Sequence, residues 1–312
     1  MATDSSAGKS QTSVSQAIYS GIVHIKRKGE VALKLVLRTK SGRIALPLVL
    51  LHIVLVVGGS WFAPYPFTEF QYNETGELQQ LLPPSTQFWL GTDQFGRDIL
   101  SRVMSGATSL VIVSTLGAVV GIALGTAVGM SSAYKGGKVD NLVMRVLDGL
   151  MSFPSLLLAL LVITTLGPSA INIVATVAIV TLPRVARVLR SITLTLKELD
   201  FVQNARLRGE STAYIVFREL LPNTLPVLGV ELSVRLSYSI LIVSSLGFLG
   251  MGVQPPSPDW GLMISQNAKF LSFAPWVALA PAGAVASLVV GVNLLTDGIK
   301  QASGLPREEK PV

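Results

Sequence analysis

Hydrophobic residues occur in long runs that carry almost no charge. Four runs exceed what a buried core helix needs: Ile44–Ala63, Val103–Val139, Gly149–Pro183 and Phe270–Thr296. About 20 apolar helical residues cross a bilayer, whereas the third run, at about 1.5 Å per residue, would reach about 52 Å. The breaker Leu166–Ser169 therefore divides it into two helices joined by a tight turn.

A further apolar stretch contains two charged residues, Glu231 and Arg235. The pattern predicts six membrane-spanning helices, at about 44–63, 106–134, 145–166, 170–192, 224–250 and 275–297. Only 14% of the 312 residues are charged, against about a quarter in a soluble domain, which indicates an all-α membrane protein. The first run follows a long polar, basic tail without a small-residue cleavage site, so we expect a retained span and not a signal peptide.

The basic residues predict the orientation of these spans. With the N-terminus inside, 21 of the 25 Lys and Arg residues lie on the cytoplasmic side and three outside, as the positive-inside rule requires. The expected organisation has cytoplasmic tails at 1–43 and 301–312, a permease domain at 44–300, and an external segment at 64–105. The net charge of +7 thus reflects membrane topology, and we expect lipid but no nucleic acid as a partner.

Glycines recur at every fourth position in the second span. Because four residues exceed one helical turn by about 40°, they form a slowly winding seam along which another helix can approach closely. We expect this seam to be a packing surface. Its members are Gly117, Gly121, Gly125 and Gly129.

The cytoplasmic segment 197–222 is expected to form two short helices. Good helix formers run up to Gly209, which can end a helix in the left-handed conformation, and Ser211 or Thr212 can cap the next. Pro222 then marks the entry to span five. An apolar knob ringed by charge would suit a groove on a soluble partner, although an ordinary amphipathic loop has the same periodicity. The knob would comprise Phe201, Val202, Ala205 and Leu207, with Arg206 and Arg208 beside it.

This segment resembles the coupling motif of ABC importer permeases, which begins Glu-Ala-Ala. Ala205, Gly209, Leu221 and Pro222 match the motif, while Gln203 and Asn204 depart from it. The resemblance implies a type I ABC importer transmembrane domain, whose short helix sits in a cleft of an ATPase subunit and transmits its closure to the pore. The coupling residues it implies are Phe201, Gln203, Asn204, Ala205, Arg206, Arg208, Gly209, Leu221 and Pro222.

Further motifs are similar to those of the dipeptide/oligopeptide (peptide/nickel) permease family, C-type subunit. They are Phe62–Pro66, Leu90–Arg102, Ser152–Pro154, Phe248–Gly261 and Asn293–Asp297. The resemblance implies a pore-forming subunit in the cell membrane that works with a homologous permease, two ATP-binding subunits and an extracytoplasmic substrate-binding protein. ATP and Mg would bind the partner subunits, and this chain would need no cofactor. Peptides are the expected cargo, with nickel, glutathione and oligosaccharides as alternatives.

The motif before span two is expected to form a charged external ledge. Thr92 or Asp93 can cap a helix, and Asp93/Arg97 and Asp98/Arg102 have the spacing of helical ion pairs. A gate or binding-protein docking site and a self-stabilised interfacial helix both remain open. Two further expectations are that Pro154 kinks span three and that Trp260, after the Pro-rich stretch 254–258, is an interfacial anchor.

Glu231 and Arg235 are one helical turn apart in span five. Ionisable residues at that depth face protein or water and are usually paired. An internal ion pair is the simpler interpretation, because the spacing satisfies both charges without a ligand. The alternative is a polar lining of the substrate path.

The sequence has no phosphate-binding loop of the form G-x-x-x-x-G-K. The nearest match, Gly136-Gly137-Lys138, would need a glycine at position 132, where the chain has Ser132. We therefore expect no enzymatic activity in this chain. Because there are only two histidines, His24 and His52, and no cysteine, we expect no metal site. His52 is expected to be a packed polar residue. A self-sufficient secondary transporter or channel would show inverted repeats or a charged pore ring, and a membrane scaffold would leave the segment 197–222 unexplained.

Overall fold

The computed structural model describes residue 37 and residues 39–302, with side chains as far as Gly298. Most of the predicted tail 1–43 and nearly all of the predicted tail 301–312 lie outside these residues. All regular structure in the described part is helical, apart from two isolated bridges. The helices are α1 Lys40–Phe62, α2 Ile99–Lys135, α3 Gly137–Met151, α4 Ser155–Leu166, α5 Ala170–Leu196, α6 Asp200–Leu207, α7 Thr212–Phe248, α8 Trp260–Asn267 and α9 Trp276–Ala302.

Five of these helices, α1, α2, α5, α7 and α9, are long and apolar enough to cross a membrane. The pair α3 and α4 makes a sixth if it counts as one span, but its halves are bent by 93°. The prediction of six spans is confirmed in this form. The third predicted span is not one helix kinked at a proline. It is broken at Ser152–Pro154, because Pro154 lacks an N–H group and disfavours helical geometry in the residue before it.

The predicted tight turn at 166–169 is present. α4 ends at Leu166, and Gly167 takes the positive φ of +83° that glycine adopts without strain. Ser169 then caps α5, where its side chain accepts a hydrogen bond from the N–H of Asn172 at 3.2 Å. The chain therefore reverses direction here within four residues, and α4 and α5 run antiparallel.

The glycine seam of α2 lies directly against α5. A Cβ atom added at Gly117 would lie 2.6 Å from Cβ of Val177, and one at Gly121 would lie 2.7 Å from Cβ of Thr181. A Cβ atom at Gly125 would likewise meet Val185, and one at Gly129 would meet the backbone of Ala186. The predicted packing role of the seam is thus confirmed, because no side chain larger than hydrogen fits between the two backbones.

Span five and the helix before it form one continuous 37-residue helix, α7. The prediction that Pro222 begins a separate span is wrong. Residues Ile215–Leu220 form a π-helical stretch within α7, just before Pro222. The side-chain amide of Asn223 donates to the carbonyl of Glu219 at 2.7 Å. A movement at the start of α7 can therefore be transmitted along it without passing through a loop.

Trp260 is buried in the main core, so the prediction of an interfacial anchor is wrong. Its side chain is 0% exposed, and its indole N–H donates to the carbonyl of Val103 at 2.9 Å. Gly106 makes room for the ring, since a Cβ there would lie 2.7 Å from two indole atoms. The segment after the Pro-rich stretch therefore folds back onto α2, where its indole cannot reach lipid.

Candidate functional site

The predicted coupling segment lies at one end of the bundle, beside the α2–α3 junction. α6 ends at Leu207, and Gly209 has a φ of +76°. The side chain of Ser211 caps α7 by accepting from the N–H of Tyr214 at 3.2 Å. The helix–glycine–helix prediction is confirmed as local structure, with Ser211, not Thr212, as the cap.

Two members of the predicted knob face the chain's own core and not a partner. Val202 and Ala205 are 0% exposed and pack in a second hydrophobic cluster with Met130, Leu189 and Leu220. α6 is amphipathic, but its apolar face is used to attach the helix to α2, α5 and α7. The knob predicted from the sequence is therefore wrong in part, and the buried side chains anchor the segment.

The outward face of the segment contains Leu207, which is 86% exposed. Of the other predicted coupling residues, Asn204, Arg206, Arg208, Gly209 and Pro222 are also exposed, and Phe201, Gln203 and Leu221 are half-buried. Tyr214 and Phe217 on α7 are also exposed. An apolar side chain so fully exposed at the tip of a well-packed turn makes no contact that stabilises this chain.

The charges around Leu207 are held by groups of the same chain. Arg206 donates to the hydroxyl of Tyr134 at 3.1 Å and stacks over its ring at 5.0 Å. Arg208 pairs with Glu219 at 3.1 Å and lies 3.6 Å from Glu210. These contacts fix the guanidinium groups as a rim and leave the leucine as the central apolar feature.

The predicted ledge, at the opposite end of the bundle, is a tightly hydrogen-bonded turn. Asp93 accepts from the N–H groups of Phe95 and Arg97 at 2.8 and 3.0 Å and from the Arg97 side chain at 2.8 Å. Thr92 donates to the carbonyl of Gln79 at 2.6 Å. The Asp93–Arg97 ion pair is thus confirmed, but Thr92 and Asp93 do not cap a helix.

Asp98 and Arg102 do not pair with each other, which corrects the sequence-based prediction. Asp98 is the N-cap of α2 and accepts from the backbone and hydroxyl of Ser101 at 2.7 and 2.5 Å. Arg102 instead lies 3.6 Å from Asp93. Both charged groups are almost fully buried. The N-cap competes successfully for Asp98 because it satisfies helix N–H groups that have no other partner.

Glu231 and Arg235 form an ion pair, with 2.8 Å between Nε and Oε2. Their side chains are only 12% and 13% exposed. Arg235 also lines a cleft of about 440 Å³ that α4, α5 and α7 enclose. Both interpretations of the pair therefore have a structural basis: the two charges neutralise each other, and one of them faces an open space.

Arg184, which sequence reasoning assigned to the cytoplasmic basic residues, lies in the same cleft. It is on α5, and its Nη2 donates to the hydroxyl of Ser155 at 2.6 Å. The next basic residues along α5 pair with α3: Arg187 with Asp148, and Arg190 with Asp140 through both carboxylate oxygens. The sequence signal for this position was an arginine directly after Pro183, within a stretch that is long and apolar enough to span a membrane.

His52 is a packed polar residue, as expected. Its ring nitrogens lie 2.8 Å from the carbonyl of Leu48 and 3.3 Å from that of Ala284, and the ring meets Trp260 edge-on. Among the described residues there is no cluster of three or more side chains that could hold a metal ion. His52 therefore joins α1 to α9.

Asp259 is buried beside the end of α7 and caps α8. Its Oδ1 accepts from the N–H of Leu262 at 2.8 Å, and its Oδ2 has no partner in the described part of the chain. Loss of hydration raises the pKa of this carboxyl to about 6, although backbone N–H groups at Leu262 and Gly261 oppose the rise. The folded state therefore binds this proton more tightly than the unfolded chain does.

We expect the protein to become more stable as the pH falls from 7 to 5. The pKa of Asp259 is about 6 when folded and about 3.9 when unfolded, so the folded state gains protons first. Relative to pH 7, protonation of Asp259 should add about 1 kcal/mol to the free energy of unfolding at pH 5. Thermal unfolding of the wild type and of Asp259→Asn at several pH values tests this. A pH dependence that is identical in the two proteins would contradict it.

Comparison with known proteins shows the family. Residues 121–303 match the model of the binding-protein-dependent transport system inner membrane component. A dipeptide transport system permease protein of Alkalihalophilus pseudofirmus is 35% identical over 271 residues, which cover 87% of this chain and 88% of that protein.

Two similar relatives are glutathione transport system permease proteins. The one from Pectobacterium atrosepticum is 36% identical over 81% of this chain and 84% of its own length, and the one from Escherichia coli is 39% identical over 81% and 82%. Together with the five long apolar helices and the bent pair, these matches identify a multi-pass inner membrane protein. The chain belongs to the family of binding-protein-dependent transport system inner membrane components and is an ABC importer permease subunit.

Proposed function

We propose that this chain forms half of the pore of an ATP-driven peptide importer, with Leu207 and its charged rim seated in a partner ATPase. A homologous permease would complete the pore, and a substrate-binding protein would dock at the opposite end, where Arg97 and Phe95 surround a small pocket. ATP and Mg would be held by the two ATPase subunits. Site residues on this chain would therefore transmit force and contact substrate without catalysing hydrolysis.

One observation carries the coupling proposal. Leu207 is exposed on a turn whose other face is buried against α2, α5 and α7. The segment is consequently attached to three long apolar helices at once. A partner that moves Leu207 by a few ångströms would move the packed cluster beneath it, since close-packed interiors transmit displacement instead of absorbing it.

Peptide cargo is supported by the relatives. One is named as a dipeptide permease and the others as glutathione permeases, and glutathione is itself a tripeptide. Both names describe small molecules that carry carboxylates and amide bonds. We therefore infer a short peptide as the substrate class and give glutathione as the second candidate.

Reconstitution in liposomes tests the assignment. The chain, its partner permease, both ATPases and the binding protein are expected to take up a labelled dipeptide only when ATP and every subunit are present. Omitting the ATPases should abolish uptake. Flux that persists without them would instead indicate a self-sufficient transporter, and uptake of labelled glutathione but not of dipeptides would transfer the substrate assignment to the second candidate.

A further inference from the structure

The cleft between α4, α5 and α7 lies near the middle of the membrane-spanning helices. Arg184 is 14 residues from the start of α5 at Ala170, and Arg235 is 13 residues from the end of α7 at Phe248. At about 1.5 Å per residue, both lie about 20 Å from the same end of the bundle. Two guanidinium groups on different helices thus meet at one depth, in a space of about 440 Å³.

The cleft has more positive charge than the surrounding residues neutralise. Arg184 has no ion pair in the described part of the chain, and its one hydrogen bond goes to Ser155. A guanidinium has five N–H donors, so four remain free. Arg235 uses only Nε for Glu231, and no described residue bonds its two terminal amino groups. Two cations therefore face the space with one carboxylate beside them.

The remaining lining adds one donor and no further carboxylate. Tyr238 contributes a hydroxyl group, whereas the hydroxyl of Ser245 donates to the carbonyl of Leu241 at 2.7 Å. Apart from Ser155, the other lining residues are apolar. Ser155 is the first residue of α4, whose N-terminus has no side-chain cap, so unpaired backbone N–H groups lie at the same wall. An uncompensated arginine at this depth is costly, and an anion would remove that cost.

We propose that this cleft binds the carboxylate of the transported substrate, with Arg184 as the main contact and Arg235 and Tyr238 beside it. The inference rests on the proposed function and deepens it: the pore would select peptides with a free C-terminal carboxylate. Planar guanidinium groups bind carboxylates through paired, charge-assisted hydrogen bonds. The cleft volume falls within the range of about 300–1,000 Å³ that small-molecule sites occupy, so a dipeptide fits.

The same cation could instead pair with a fixed acidic side chain of the partner permease. The two sources of the carboxylate differ in what they predict. A substrate carboxylate is present only with cargo, so removing Arg184 would weaken binding and leave assembly intact. A fixed partner carboxylate would be left buried and unpaired, so removing Arg184 would destabilise the complex with or without cargo.

The test measures binding of alanyl-phenylalanine and of its C-terminal amide to the purified full complex in nanodiscs, without binding protein. We expect Arg184→Gln to weaken binding of the free acid by about tenfold or more, as loss of charged hydrogen bonds usually does. Arg184→Lys should restore part of that loss. The amide should bind weakly to wild type and variant alike, because it has no carboxylate to lose.

Arg187→Gln is the matched control, because Arg187 lies one helical turn away on α5 and pairs with Asp148 outside the cleft. It should leave both affinities unchanged. Equal binding of acid and amide by the wild type would overturn the inference, as would an Arg184→Gln complex that melts lower but binds the acid normally. Because ATP-dependent uptake by the wild type is measured separately, failure of the inference is distinguishable from failure of the proposed function.

Discussion

Replacing Leu207 by aspartate is expected to abolish ATP-dependent uptake while leaving the protein folded and inserted. The side chain is 86% exposed and makes no core contact, so the folded chain loses almost nothing. The proposed ATPase groove would have to desolvate a new carboxylate, and an unpaired buried charge costs several kcal/mol. Uptake by the reconstituted complex, with ATPase activity measured in parallel, reports the loss.

The matched variant is Leu207→Met, which keeps an apolar side chain of similar volume and should transport normally. A second comparison is Ala205→Asp in α6, which places the charge in the buried cluster and should lower stability as well. Normal uptake by Leu207→Asp would refute the coupling assignment. Loss of membrane insertion in that variant would refute the claim that Leu207 serves a partner and not the fold.

Gly129→Leu is expected to prevent α2 and α5 from packing, so that little folded protein is recovered. A Cβ at Gly129 would overlap the carbonyl oxygen of Ala186 and lie 2.7 Å from its Cα. Because the obstacle is backbone and not a flexible side chain, the helices themselves must separate, and we expect a cost of about 3 kcal/mol or more. Recovery of monodisperse protein after detergent extraction, and its unfolding temperature, measure the effect.

Gly283→Leu provides the control, because Gly283 is also in an apolar helix but no atom lies within 4 Å of its added Cβ. The same side chain should be tolerated there within this chain. If both variants were recovered equally well, the close approach of α2 and α5 would not depend on the seam.

Features with a local cause were predictable from the sequence. The seam follows from helical periodicity, the turn at 166–169 from Gly167 and Pro168, and the bend at Gly209 from glycine's access to positive φ. Each depends on residues close together in the chain. The span count and the family motifs could be recognised for the same reason.

Features that depend on distant partners were missed. Trp260 is buried because Gly106, on another helix, leaves room for its ring, and Ala205 is buried because Met130 and Leu189 lie beneath it. Arg184 could be counted as a basic residue, but its cleft is lined by α4 and α7, whose residues are distant from it in the sequence. Pairing of Asp98 was predicted by spacing alone, whereas the cap depends on where α2 begins.

The break between α3 and α4 also decides what must surround the start of α4. α4 has 12 residues and rises about 18 Å, well short of the hydrocarbon thickness of about 30 Å, and α3 leaves it at 93°. By its length alone, α4 therefore cannot cross the hydrocarbon layer. Backbone groups without partners are tolerated at that depth only where they are buried in protein or line a water-filled cavity, so the break at Ser152–Pro154 requires water or protein, and not lipid, beside the start of α4.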